Sequence, residues 1–102
     1  MEIQDRSPMV EELIFQLWER GYFATLELAS EKNEHIEIIS NGQRNFDSGP
    51  DFKNIAIKVD GNIQQGDLEI HRSANDWYLH HHHHDPAYNN VILHLVIGTM
   101  SD

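Results

Sequence analysis

The chain contains no cysteine, so structural disulfides, thiolate zinc sites and iron–sulfur ligation are excluded. Basic residues are few: 7 Lys and Arg stand against 17 Asp and Glu, for a formal net charge of −10. Phosphate contacts need Lys and Arg, so this balance disfavours broad, unaided binding to nucleic acid and suits metal ions or basic partners. No apolar run approaches the roughly 20 residues of a membrane helix. The opening MEIQDRSPMVEE is too acidic for a secretion signal. A cytoplasmic location with no membrane partner is the expectation. What is present in quantity is histidine: 8 residues, whose protonation makes the electrostatics change steeply near pH ~6.

The 102 residues fit one domain, spanning 1–102 with residues 1–6 frayed, and the hydrophobic fraction of 39% is that of a globular chain. A chain of this size buries one modest core, so association into a homo-oligomer would add stability.

Ser7-Pro8 reads as an N-cap followed by proline at the first helical position. Val10, Leu13, Ile14, Leu17 and Trp18 follow the spacing of a helix with one buried face, and Gly21 is its expected cap. Tyr22 to Leu28 is a possible short strand and His35 to Ile39 a second strand. Residues 43–50 form a loop rich in turn residues. Asn54 to Asp60 places Ile55, Ile57 and Val59 on one face, and Asp60-Gly61 is a tight hairpin signal. On the return strand, about Asn62 to Arg72, Leu68 and Ile70 alternate with Asp67, Glu69 and His71. Gly66 marks a bulge or a close backbone approach. Ser73 to Asp85 reads as a second helix ended by Pro86, and the apolar run from Val91 to Ile97 as a buried strand. Without the short segment at Tyr22–Leu28, the expected fold is α/β, in the order αβββαβ, with helices packed on a mostly antiparallel or mixed sheet.

Two constellations carry possible chemistry. In the first, Asp51 opens one strand while Glu69 and His71 share a face of the next. Carboxylates held close together repel, and a divalent cation relieves that repulsion. Oxygen-rich sites suit Mg²⁺ or Mn²⁺, which activate water and neutralise phosphate. The structural alternative makes Asp51 a turn residue after proline, and Glu69 and His71 a solvated strand face. The second constellation is Trp77, His80, His82, Asp85 and Tyr88, followed by His94. Histidines and carboxylates at this spacing can hold Zn²⁺ as an alternative metal, and can also be a solvated face. Trp77 and Tyr88 are expected as core anchors. His94, alone in an apolar run, is a core histidine or a group supporting the first constellation. No organic cofactor is indicated.

Pro50-Asp51 followed by Glu69-Ile70-His71 resembles the PD-(D/E)xK nuclease superfamily. In that superfamily the Asp after Pro and the acidic residue of the triplet bind metal, and a Lys positions water. Here Asp51 and Glu69 match, and His71 stands where Lys is expected. The resemblance implies a restriction-endonuclease-like core and a catalytic set of Asp51, Glu69, His71 and Glu11: many members add a Glu from the first helix, and Glu11 lies beside the apolar stripe near Trp18, whereas Glu12 is expected to point outward.

A tighter resemblance runs from Val10 to Val96. The segments Asn45-Phe46-Asp47-Ser48-Gly49-Pro50-Asp51-Phe52-Lys53-Asn54, Gly66-Asp67-Leu68-Glu69-Ile70-His71, Asp76-Trp77, His80, His82, Asp85, Tyr88-Asn89 and Val91-Ile92-Leu93-His94-Leu95-Val96 are similar to the N-terminal region of a bacterial family of unknown function. That resemblance implies a piece of a longer architecture and a recurring polar set of Asp51, Glu69, His71, His80, His82, Asp85 and His94. It implies no established activity. The functional expectation is a metal-dependent phosphodiesterase. Its rival is a non-catalytic oligomeric binding module with a histidine network or Zn²⁺ site.

Overall fold

The computed structural model describes residues 8–71 and 84–96. Among them, one α-helix (α1, Pro8–Glu19) accompanies six strands: β1 (Leu28–Ala29), β2 (His35–Ser40), β3 (Gln43–Arg44), β4 (Phe52–Val59), β5 (Asn62–His71) and β6 (Val91–Val96). The strands form one mixed sheet in the order β1-β2-β4-β5-β6, with β3 pairing β4 beyond the end of β2. All neighbours are antiparallel except β5 and β6, which run parallel.

This mostly β architecture overturns the expected α/β, restriction-endonuclease-like core. Three local differences account for the change. Tyr22–Thr25 is a 3₁₀ helix, entered through Gly21 at φ 78°, and the strand expected there shrinks to Leu28–Ala29. The loop expected at 43–50 begins with β3, because the Asn41-Gly42 turn directs the chain back along β4. A Cβ on Gly42 (φ 63°) would stand 2.2 Å from the Lys53 carbonyl oxygen, so only glycine fits. Of the expected second helix, residues 73–83 lie outside the described residues. In the described part of the connection, Pro86–Tyr88 is a 3₁₀ turn, and His84 and Asp85 before it are not α-helical.

α1 lies on one face of the sheet. Trp18, Phe52, Ile55, Ile57, Leu68 and Ile36 form the buried core, with Phe15 and Phe23 packed against it. Trp18 is fully buried, and its indole N–H donates to the Asn41 carbonyl at 2.9 Å, so its polar tip is satisfied. Arg44 on β3 ties the helix down. Its guanidinium grips Glu12 at 2.8 and 2.9 Å and Glu19 at 2.8 Å, and its Cζ lies 5.2 Å from the Phe15 ring centroid.

Asp60 and Gly61, at φ 47° and 90°, close the β4–β5 hairpin between Val59 and Asn62. Farther along the same pair, the register shifts between Phe52, opposite Leu68, and Ile55, opposite Gly66. Lys53 and Asn54 thus oppose the single residue Asp67, which is a β-bulge. The extra residue puts both Phe52 and Ile55 into the core, although they are three apart. Gly66 is a close approach: a Cβ there would stand 2.6 Å from the Asn90 carbonyl oxygen and from Ile92.

Candidate functional site

Leu68 and Ile70 on β5, and Leu93 and Leu95 on β6, pack with the core. Strand alternation therefore turns Glu69, His71 and His94 to the opposite face. There Glu69 pairs with His94 across the parallel ladder. These are not solvated positions: Glu69 is 3% exposed and His71 8%.

Asp51 meets them at the end of β4. Phe52–Leu68 is the last β4–β5 pair, and beyond it the chain turns at Pro50. The Ile70 N–H therefore donates to Asp51 Oδ2 at 2.8 Å, so a side chain continues the ladder. In return, the Asp51 N–H donates to Glu69 Oε1 at 3.2 Å. Glu69 Oε2 lies 3.2 Å from His71 Nε2, and His71 Nδ1 shares a 2.6 Å hydrogen bond with His94 Nε2. Three strands thus contribute one chain of polar groups, Asp51–Glu69–His71–His94.

Its electrostatics are those of a crowded acid pair. Burial pushes the Asp51 carboxyl up to about 7, helped by the Glu69 charge beside it and opposed by the Ile70 N–H. Burial likewise pushes Glu69 up to about 7. The pair is best described as sharing protons near neutrality. Tyr88 borders the cluster. Its hydroxyl donates to the Gly49 carbonyl at 3.2 Å, and burial, followed by the charges of Glu69, Asp51 and Asp85, raises its pKa. Tyr88 is thus more than the core anchor expected of it. Its position six residues before His94, on the connection into β6, is the only sequence signal that it borders the acid pair.

The other expected site residues divide into three groups. Glu11 is exposed on α1, which packs on the sheet face opposite Glu69 and His71. Glu12, expected to point outward, is exposed and engaged by Arg44. Asp85 is the cap of the Pro86–Tyr88 turn, accepting from the Ala87 N–H at 2.9 Å. His80, His82 and Trp77 lie outside the described residues. Among the described residues, no group of three or more His, Asp or Glu side chains is arranged to hold a metal ion. The donors of the cluster are hydrogen-bonded to one another, so a cation would have to take the place of shared protons. The donor set itself, two carboxylates and two imidazoles, fits Zn²⁺ or Mn²⁺ better than Mg²⁺, which prefers oxygen alone.

The model of a family described as a protein of unknown function, DUF2851, matches residues 11–100. The chain belongs to the DUF2851 family. The match spans every residue of the cluster. No curated protein and no solved structure matches the chain.

Proposed function

We propose that Asp51, Glu69, His71 and His94 form a divalent-cation site that activates water for hydrolysis of a phosphodiester. One observation carries the reading: two carboxylates and two imidazoles from three strands converge in a buried patch, where an unneutralised acid pair is costly. Asp51 and Glu69 would hold the cation, with His94 as a further ligand. His71, whose two ring nitrogens are bonded to Glu69 and His94, would orient these neighbours, and would accept a proton from water only once its Glu69 contact opens. With a net charge of −10, unaided binding to a nucleic-acid duplex is weak, so a short single strand or a small diester is the better substrate. A cytoplasmic setting suits a cysteine-free chain, and no helix among the described residues is long and apolar enough to cross a membrane.

A second reading has its own support. The side chains already satisfy one another, and no three of them surround a point. On that reading the cluster is a non-catalytic polar network, or a Zn²⁺ site in an oligomeric binding module. Calorimetric titration with Mn²⁺ and Zn²⁺, alongside hydrolysis of bis(p-nitrophenyl) phosphate, separates the two. Mn²⁺ binding and turnover that both disappear in Asp51→Asn support the hydrolase. Binding of Zn²⁺ without turnover supports the module. Hydrolysis that survives Asp51→Asn and Glu69→Gln defeats the first reading.

A further inference from the structure

Asp67 is the second buried acid of β5, beside Glu69, at 6% exposure, and stands outside the Asp51–Glu69–His71–His94 chain. Its Oδ1 accepts the backbone N–H of Asn54 at 3.3 Å, and its own N–H donates to the Asn90 carbonyl at 2.8 Å. Asn54 sits at φ 61°, in the left-handed region that, glycine apart, asparagine and aspartate adopt most readily, and it is there that the ladder departs from regular pairing. A buried carboxylate is a costly way to close one position of a ladder. We propose that Asp67 is a positioning residue: it pins the bulge at Asn54, and the bulge sets the register in which Asp51 meets Glu69 and Ile70.

Strand side chains alternate with a period of two, so Phe52 and Ile55 cannot both face α1 in a regular strand. Without the extra residue, the alternation that keeps Ile55 and Ile57 in the core would turn Phe52 away. Asp51, one residue earlier, would move with it and lose the Ile70 N–H. Asp67 lies directly opposite the two residues of the bulge and supplies the acceptor that the irregular ladder leaves Asn54 without. The catalytic meaning of this role rests on the cation-site reading above, whereas the structural meaning does not.

The test uses Ile70, whose amide reports the Asp51 contact directly. Amide exchange is compared among the parent, Asp67→Ala, Asp67→Leu and Asp67→Asn, with the Ile57 amide as an internal reference. Asp67→Asn removes the charge and keeps an acceptor. Asp67→Leu keeps the bulk and removes the acceptor. The expected result is that Ala and Leu lower Ile70 protection by about tenfold relative to Ile57, while Asn keeps most of it. Unchanged Ile70 protection in Ala or Leu overturns the proposal. So does an Asn variant as damaged as the Ala variant, or failure of both Ala and Leu to fold, since that marks Asp67 as part of the general framework. Mn²⁺ titration of the same variants supplies the second readout. Affinity is expected to drop about tenfold in Ala and less in Asn. If the parent itself takes up no Mn²⁺, the cation reading fails, and the Ile70 amide still decides the role of Asp67.

Discussion

Leu68 and Glu69 are neighbours on β5 and almost equally buried, at 0% and 3% exposure, yet opposite physics holds them in place. Leu68 packs among Phe52, Ile55 and Trp18, where removal from water is favourable and directionless. Glu69 is enclosed with Asp51 and His71, where removal from water is unfavourable and only specific hydrogen bonds offset it. The two faces of one strand thus rest on different physics. One supplies stability; the other carries an arrangement that stability has to support.

The largest test of that division is Phe52→Ala. Phe52 is fully buried and touches both Phe15 and Trp18, with ring centroids 5.8 and 6.1 Å away. Truncation should cost about 3–5 kcal/mol, a large share of the ~5–15 kcal/mol that holds a typical domain, and urea melts should show a largely unfolded chain. Asp51→Asn is the matching change on the polar face, and its effect on folding should have the opposite sign. The amide keeps an acceptor for the Ile70 N–H and supplies a permanent donor toward Glu69, in place of a shared proton. Its melting temperature at pH 8 should equal or exceed the parent's, while Mn²⁺ affinity falls on the order of a hundredfold. A variant that melts well below the parent would place Asp51 on the stabilising side and dissolve the contrast.

Acidity probes the same contrast without mutation. Asp51 and Glu69 both have folded pKa values raised to about 7, above their ordinary 3.8 and 4.5. The folded state therefore holds these protons more tightly than the unfolded chain does. The stability this confers is fully present below about pH 4 and is lost as pH rises through about 7. In chelator, the melting temperature should fall between pH 5 and pH 8, and Asp51→Asn should flatten that slope. A parent whose stability is level or rises over this range would mean the pair is ionised and otherwise compensated.

A smaller effect is expected where the faces join. Arg44 links β3 to α1 through Glu12 and Glu19 and lies beside Phe15. Arg44→Ala should cost about 1–2 kcal/mol, through lost packing as much as lost charge, and leave Mn²⁺ affinity close to the parent's.

Much of the polar face is legible in the order of the residues alone. Alternation along Asp67-Leu68-Glu69-Ile70-His71 separates acids and imidazole from apolar neighbours, and the Asp60-Gly61 turn folds that strand back beside Asp51. His94 within VILHLV is ambiguous in sequence because a run apolar at nearly every position shows no alternation; the buried strand expected there is instead the last of the sheet order and half-buried at all six positions, and only its pairing with Glu69 assigns the side of His94. Glu11 falls on the wrong face because helical periodicity says which stripe is apolar, not which face of the sheet that stripe will cover. The α/β expectation fails at short elements. Tyr22–Thr25 and Gln43–Arg44 are too brief for a period to register, and their conformations depend on Gly21 and Gly42 packing against distant backbone or side chains.

The bulge in β4 is likewise not legible in sequence, where the strand begins at Asn54; only the pairing of Phe52 with Leu68 shows that the strand starts earlier, out of the phase that Ile55, Ile57 and Val59 keep. The bulge also yields the most discriminating prediction, one arm of which is the smallest effect of all. Asn54 at φ 61° lies where glycine is at ease and β-branched residues are not. Asn54→Gly should leave stability within about 0.5 kcal/mol, since relief of backbone strain offsets the greater freedom of the unfolded glycine. Asn54→Val should cost roughly 1–3 kcal/mol, although the residue is exposed and valine is the better strand former. If valine is tolerated as well as glycine, the left-handed turn is not what aligns Asp51 with Glu69. The two faces would then be set by the hairpin alone.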